Sequence, residues 1–502
     1  MRLAVLLVAG LLCLAGCSST RPLQPVVRTP LQTRWEGVSP RGAAASTGGA
    51  AAPTAGAAAS TGGAAAPTVG VAAPARGAAA PTELAWWKVF HDPVLDHLMS
   101  EGLARNLDLK LAQVRIAEAL AQRRAAAAAL WPDITATATD DTSHQPAALA
   151  QPGMPATTLE AAVQASWTVD LFGVARNRER AAAATVRASQ FDRDATQVQL
   201  LAQIAGTYVQ YRLYQLQYAI SQRSADSQAA TVRITRLRFE QGAASRLDLE
   251  RVVSQLAITR AAVPQAYEQA QSARNTLILL LASTPEELAG ELPEAVPADP
   301  RLPSGDPLDV LLTPAQVIAQ RPDVRSAEQT LVASADTLRS ALAQRYPQLT
   351  LAALFGRSGT AVHQLMSASS KTWGYSAGLT LPLFDFGLIR AGIDMADAQQ
   401  QAAYLTYEQT VRTALQQTQT AIVLYAQGVL REQQLQTALD SARLAAALAR
   451  RQYQEGALSL LDVLDAERTA YDTELSWSQA AAAVSQRLVT LYQTMGVLPP
   501  QG

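Results

Sequence analysis

Gly242-Ala243-Ala244-Ser245-Arg246-Leu247-Asp248 and Gly456-Ala457-Leu458-Ser459-Leu460-Leu461-Asp462 are one pattern met twice in the same chain. Each glycine closes a proline-free run of about 70 mostly helix-forming residues, begun at Gly173 in the first case and at Gly387 in the second, and at ~1.5 Å per residue a continuous helix there spans ~100 Å. Beyond each glycine the sequence turns helix-forming again, to about Ala282 and Thr494. Two long helical hairpins with tips at Gly242 and Gly456 are therefore expected. A compact core cannot bury helices of that length, which must pack lengthwise on other helices.

Working outward from the tips, the whole body repeats. A shift of 215 residues lays Ala104, Asp108, Ala112, Arg124 and Pro132 on Ala319, Asp323, Ala327, Arg339 and Pro347, and a shift of 214 lays Phe172-Gly173 and Arg176 on Phe386-Gly387 and Arg390. Each copy opens with a helix-forming stretch, 103–130 or 315–345, with Pro314 suited to a helix start and Pro132 and Pro347 to an end. Strands follow. Leu159, Ala161, Val163, Ala165, Trp167 and Val169 alternate with mostly polar neighbours; so do Trp373, Tyr375, Ala377, Leu379 and Leu381. Ile134–Thr139 and Leu349–Phe355 alternate more weakly and serve as hairpin partners. Such segments have the length of tilted membrane strands, although a soluble antiparallel sheet with one wet face alternates in the same way. The long helices favour the membrane reading. Four strands cannot close a barrel and open edges in lipid leave backbone groups unpaired, so three chains supplying twelve strands are expected, with the hairpins continuing the barrel as a helical tunnel.

The chain begins Met1-Arg2, then an apolar run from Leu3 to Leu14, then Ala15-Gly16-Cys17, the layout of a secretory signal over 1–16. Leu14-Ala15-Gly16-Cys17 resembles the bacterial lipobox, which implies a lipidated Cys17 at the head of a segment 17–41; Ser18, in place of the Asp that retains such lipoproteins at the inner membrane, points to the outer one. Residues 42–54 recur unchanged at 56–68, and the Ala/Gly/Pro/Thr bias of 42–82 marks a flexible linker, though Ser, Thr and Pro at this density also suit O-glycosylation. Order should begin near Trp86-Trp87. The body then reads as a first repeat, 83–290, a connector, 291–314, a second repeat, 315–497, and a tail, 498–502.

With 41 Lys+Arg against 42 Asp+Glu the net charge is −1, which argues against a nucleic-acid binder. The four histidines, His91, His97, His144 and His363, have no metal-site spacing, and the chain holds no P-loop, GxSxG or GxGxxG. Neither a catalytic residue nor a cofactor or metal is expected.

Several motifs together resemble the outer-membrane factor family, the TolC-like exit ducts of Gram-negative tripartite pumps, and particularly the NodT-type lipoproteins paired with resistance-nodulation-division pumps. They are Arg321-Pro322-Asp323-Val324-Arg325 with Ala327-Glu328, Asp170-Leu171-Phe172-Gly173, Leu381-Pro382-Leu383-Phe384-Asp385 with Gly387, and Gly456-Ala457 with Leu461-Asp462-Val463-Leu464-Asp465-Ala466. The resemblance covers about residues 85–497. It implies a homotrimer in the outer membrane and its lipid, a passive exit duct for drugs or other small molecules, a periplasmic adaptor docked at tip residues Gly242, Ala243, Ser245, Gly456, Ala457 and Ser459, and an inner-membrane pump of the resistance-nodulation-division class. It also implies a periplasmic constriction lined by the acids after the tip glycine, here Asp462 and Asp465, and Asp248 in the first copy, with Leu461 as an apolar neighbour. Ser245-x-x-Asp248 and Ser459-x-x-Asp462 equally fit helix N-terminal capping boxes; Asp465 lies one turn beyond. Leu461 and Leu247 otherwise read as packing residues. Two departures from the family are the long linker and Pro264, which predicts a kink or break in the first returning helix. A poreless coiled-coil spacer or adhesin, and the exit duct of a type I protein secretion system, remain as alternatives.

Overall fold

The computed structural model describes residues 85–142, 157–305 and 312–498; Cys17, the linker and His144 lie outside them. In chain order the elements are α1 (Pro93–Arg105), α2 (Leu107–Ala128), β1 (Asp133–Thr142), β2 (Thr157–Val169), α3 (Val174–Glu240), α4 (Arg246–Leu280), α5 (Pro314–Gln320), α6 (Pro322–Ala343), β3 (Gln348–Gly359), a single helical turn α7 (Val362–Leu365), β4 (Lys371–Thr380), α8 (Leu388–Gln454) and α9 (Leu460–Met495). Helix, strand pair and long helical hairpin recur in that order, as the duplication requires. Helices α3 and α8 are each 67 residues long. Among the described residues no helix is long and apolar enough to cross a membrane.

The chain divides into two compact units. One contains the strands. They form a four-stranded antiparallel sheet in the order β1-β2-β3-β4, so the join between the two copies is itself a strand pair, β2 with β3. The register sorts side chains onto two faces. Ile134 and Ala136 of β1 stand opposite Ala165 and Val163 of β2, which stand opposite Ala353 and Phe355 of β3, which face Tyr375 and Trp373 of β4. The other face carries Thr135, Thr137, Gln164, Ser166, Thr350, Thr372, Ser376 and Thr380, with the acids Asp141 and Glu160, small residues and one large apolar side chain, Leu354. The apolar face is bare in the single chain, with Trp373 at 72% and Tyr375 at 83% exposure. Among the described residues, strands β1 and β4 each pair on one edge only.

The sheet is joined to the long helices by the two Asp motifs. Asp170 accepts from the backbone N–H groups of Ala175 and Arg176 at 3.2 and 2.9 Å and pairs with the Arg176 guanidinium at 3.1 Å. Asp385 does the same service for α8, accepting from Ile389 at 2.8 Å and Gly387 at 3.1 Å; these backbone donors hold its carboxyl below the usual carboxylate range. Both acids satisfy N–H groups that the first helical turn leaves without partners.

The second unit is helical. Its main core gathers Trp86, Leu95, Leu98, Leu201, Ile204, Tyr208, Leu277 and Leu488, and Trp86 stacks on Tyr492 with ring centroids 5.4 Å apart. Two expectations need correction here. The helices expected at 103–130 and 315–345 are each broken, at Asn106 and at Arg321, which are equivalent positions of the two copies. Arg321 is driven to an extended backbone by the following Pro322. Its guanidinium is buried yet fully used, pairing with Asp323 at 2.6 and 3.0 Å and donating to the Thr494 carbonyl at 2.9 Å and Gln417 at 3.0 Å. Asn106 instead caps α2 through its side-chain oxygen on Asp108 N and Leu109 N and donates to the Leu280 carbonyl. The break that Pro264 allowed is also absent, since α4 continues as helix through it. Proline deprives the carbonyl four residues back of its donor, and that residue, Arg260, is exposed, so water can take the bond.

Candidate functional site

The two hairpin tips lie in the helical unit and are built by the same backbone chemistry. Helix α3 ends with Gly242 at φ +75°, a left-handed conformation that costs a side chain about 1–2 kcal/mol. The Gly242 N–H donates to Phe239 O at 3.0 Å and the Ala243 N–H to Arg238 O at 2.7 Å, the paired bonds of a Schellman cap. Helix α8 ends identically, with Gly456 at φ +79°, Gly456 N–H on Tyr453 O at 3.0 Å and Ala457 N–H on Gln452 O at 2.9 Å. Gly242, Ala243, Ser245, Gly456, Ala457 and Ser459 are all exposed.

The returning helices start on serine caps. Ser245 Oγ accepts from Asp248 N at 3.1 Å, while Asp248 Oδ2 accepts from Ser245 N at 3.2 Å and Ser245 Oγ at 2.7 Å, a complete capping box. Ser459 and Asp462 make the first half only, with Asp462 N on Ser459 Oγ at 3.4 Å and Ser459 Oγ on Asp462 Oδ2 at 2.6 Å. Both acids thus hold capping positions. Asp465 has another partner, Arg468 at 2.9 Å, and both groups are exposed. Leu461 is 55% exposed and Leu247 59%, so neither packs within the chain. That duty falls to Leu460 and Val463, which join Val232, Val252, Leu256 and Tyr453 in a small core shared by the two hairpins. Leu461, Asp465 and Arg468 recur at helical spacing on one exposed face of α9.

What the sequence did not disclose is how the first hairpin grips the second. Arg238 of α3 lies 4.3 Å over the Tyr453 ring and donates to the Tyr453 carbonyl at 2.6 Å, placing a cation at the C-terminus of α8, where the helix dipole favours one. Thr235 Oγ1 and Tyr453 Oη are 3.2 Å apart. Thr231 and Arg450 both donate to buried Glu467 of α9, at 3.3 and 3.0 Å. Farther along, Arg223 reaches Glu474 at 3.0 Å. The helical spacing of Thr231, Thr235 and Arg238 on one face of α3 was the available signal, but nothing in one chain position says which residue across the bundle it meets. Among the described residues no group of His, Cys, Asp or Glu is placed to hold a metal ion.

Comparison with known proteins agrees with this architecture. The profile of the family described as "Outer membrane efflux protein" matches residues 98–283 and 313–497. The chain is 28% identical over 416 residues to nodulation protein T of Rhizobium leguminosarum bv. trifolii, covering 83% of this chain and 87% of that protein. It is 29% identical over 424 residues to the pyoverdine export outer membrane protein OpmQ of Pseudomonas putida, covering 82% and 87%. Among solved structures, the outer-membrane channel OprN superposes with a TM-score of 0.74 at 30% identity, covering 82% of this chain and 92% of that one.

Proposed function

Because the chain belongs to the outer membrane efflux protein family and is the outer-membrane channel component of an efflux pump, we propose that it works as a homotrimeric passive duct, entered at the hairpin tips and catalysing nothing itself. The observation that carries this reading is the sheet. One chain offers four strands, two open edges and a bare apolar face backed by a Thr- and Ser-rich one. Three copies close twelve strands into a barrel with no edge, apolar toward lipid and polar toward the lumen. The 67-residue helices, too long for a compact core, line a tunnel continuous with it.

In this duct the exposed tip residues Gly242, Ala243, Ser245, Gly456, Ala457 and Ser459 receive a periplasmic adaptor, and the energy comes from an inner-membrane pump of the resistance-nodulation-division class. The cargo is a small molecule. One relative is named for pyoverdine export and another for nodulation at nearly equal identity, so general likeness of the duct does not define cargo. Cys17 carries a lipid that adds a second anchor on the periplasmic side; mass spectrometry of the mature N-terminal peptide should find it acylated, and an unmodified Cys17 overturns the anchor.

Asp465, with Leu461 on the same exposed face of α9, narrows the periplasmic end, helped by Asp462 and Asp248. Three-fold repetition rings these carboxylates around one axis, where they attract multivalent cations. Single-channel recording in planar bilayers tests this. Asp465→Ala should raise conductance and weaken block by multivalent cations, and Asp462→Ala/Asp465→Ala should do so further; unchanged conductance and block in both would leave the acids as caps and surface charge.

A further inference from the structure

The apolar face of the sheet is ordered in rows across the strands. Ile134, Ala165, Ala353 and Tyr375 make one row; Ala136, Val163, Phe355 and Trp373 the next, farther from the helices. The row beyond is Ala138, Ala161, Arg357 and Lys371. Two cations thus stand directly opposite each other, Arg357↔Lys371, on the face that is otherwise apolar. Like charges placed so destabilise a strand pair. No carboxylate among the described residues pairs with them: the acid on this face of the strands is Asp140, on the opposite edge strand β1, while Glu160 and Asp141 lie on the polar face.

Arg357 is held in place rather than loose. Its Nη1 donates to the Leu365 carbonyl at 2.7 Å and the Ser367 carbonyl at 3.1 Å, in the connection that carries α7. Nε and Nη2 have no partner among the described residues, and neither has the exposed Lys371 ammonium. Below the pair Trp373 and Tyr375 stack at 6.4 Å, with Phe355 opposite Trp373. Exposed aromatic rings of a membrane barrel sit at the level of lipid headgroups. A cation row one step farther out lies where headgroup phosphates are.

We infer that Arg357 and Lys371 form a binding site for the phosphate of an outer-leaflet lipid, with the guanidinium fork fixed by the β3–β4 connection, the ammonium completing the charge, and the acyl chains lying on Phe355, Trp373 and Tyr375. The site rests on the duct reading, which turns this face toward lipid. An anion between the two cations removes the repulsion the strand pair otherwise carries.

The test is native mass spectrometry of the full-length protein in detergent, titrated with diphosphoryl lipid A, with the same lipid dephosphorylated, and with inorganic phosphate. Lys371 is varied because Arg357 also secures the connection. Lys371→Ala should bind diphosphoryl lipid A about 5-fold more weakly than wild type, the effect of one cation at a headgroup surface; Lys371→Arg should restore binding, and added salt should narrow the difference. Equal affinity of wild type and Lys371→Ala overturns the site, as does equal binding of the dephosphorylated lipid. Displacement of the lipid by inorganic phosphate at matching concentration overturns its assignment to a lipid. Wild type and Lys371→Ala should conduct alike in planar bilayers; a wild type that forms no channel overturns the duct reading, and this site with it.

Discussion

Phe239 and Tyr453 are the same residue of the repeated unit, three positions before the tip glycine, yet Phe239 is 38% exposed and Tyr453 4%. Everything local is shared: the long helix, the Schellman cap, the serine cap of the return. The difference lies across the bundle. Tyr453 enters the small core made by both hairpins, receives a hydrogen-bonding neighbour from Thr235 and is covered by Arg238. The first copy therefore supplies the polar grip and the second the aromatic that is gripped. Duplication kept the residues that make a turn, whose demands are set within a few positions, and let the long-range partners diverge into complementary roles.

Truncation should expose this asymmetry most strongly. Tyr453→Ala removes a buried aromatic, the hydroxyl partner of Thr235 and the ring beneath Arg238, and should cost about 3–5 kcal/mol; Phe239→Ala, losing a largely solvated ring, should cost ~1 kcal/mol or less. Thermal unfolding followed by circular dichroism should then show a clearly lower transition for the first variant only. A comparable fall for Phe239→Ala would mean that a neighbouring chain of the trimer buries that ring, and would place it at the interface between copies.

The caps offer a smaller contrast. Asp248 accepts from both the backbone N–H and the hydroxyl of Ser245, whereas Asp462 accepts from the Ser459 hydroxyl alone. Asp248→Ala should cost about 1 kcal/mol and Asp462→Ala about half that, read as a difference in hydrogen-exchange protection of the first turns of α4 and α9. Equal losses would mean that the dipole interaction, common to both acids, outweighs the extra hydrogen bond.

The tips also show how a site can be half legible. Gly242 and Gly456 announce themselves because only a left-handed backbone without a Cβ closes the helix there, and the Ser-x-x-Asp spacing announces a cap for the same local reason. Asp465 was distinguishable from Asp462 by lying beyond the cap. Its ion pair with Arg468 is also local, at helical spacing, but the buried Glu467 beside them is not: its surroundings come from Thr231 and Arg450 on two other helices. Leu461 and Leu460 are adjacent and chemically alike, and only the bundle decides that Leu460 is buried and Leu461 exposed.

By itself the sequence determined the repeat, the hairpins and their tips and the alternating strands, because periodicity, glycine position and proline position act over a few residues at a time; the channel class came with the family resemblance that its motifs carry. It did not determine which distant carbonyls, Leu280 and Thr494, would take the side-chain donors of Asn106 and Arg321 at the two helix breaks. Nor did it determine that α4 continues as helix through Pro264, where the carbonyl left without a donor belongs to the exposed Arg260. The opposition of Arg357 and Lys371 likewise needs the register of β3 on β4. The carbonyl partners and the cation pair are contacts between separate elements, and which of those groups meet is decided by the packing of whole elements, for which no short window of sequence carries the information.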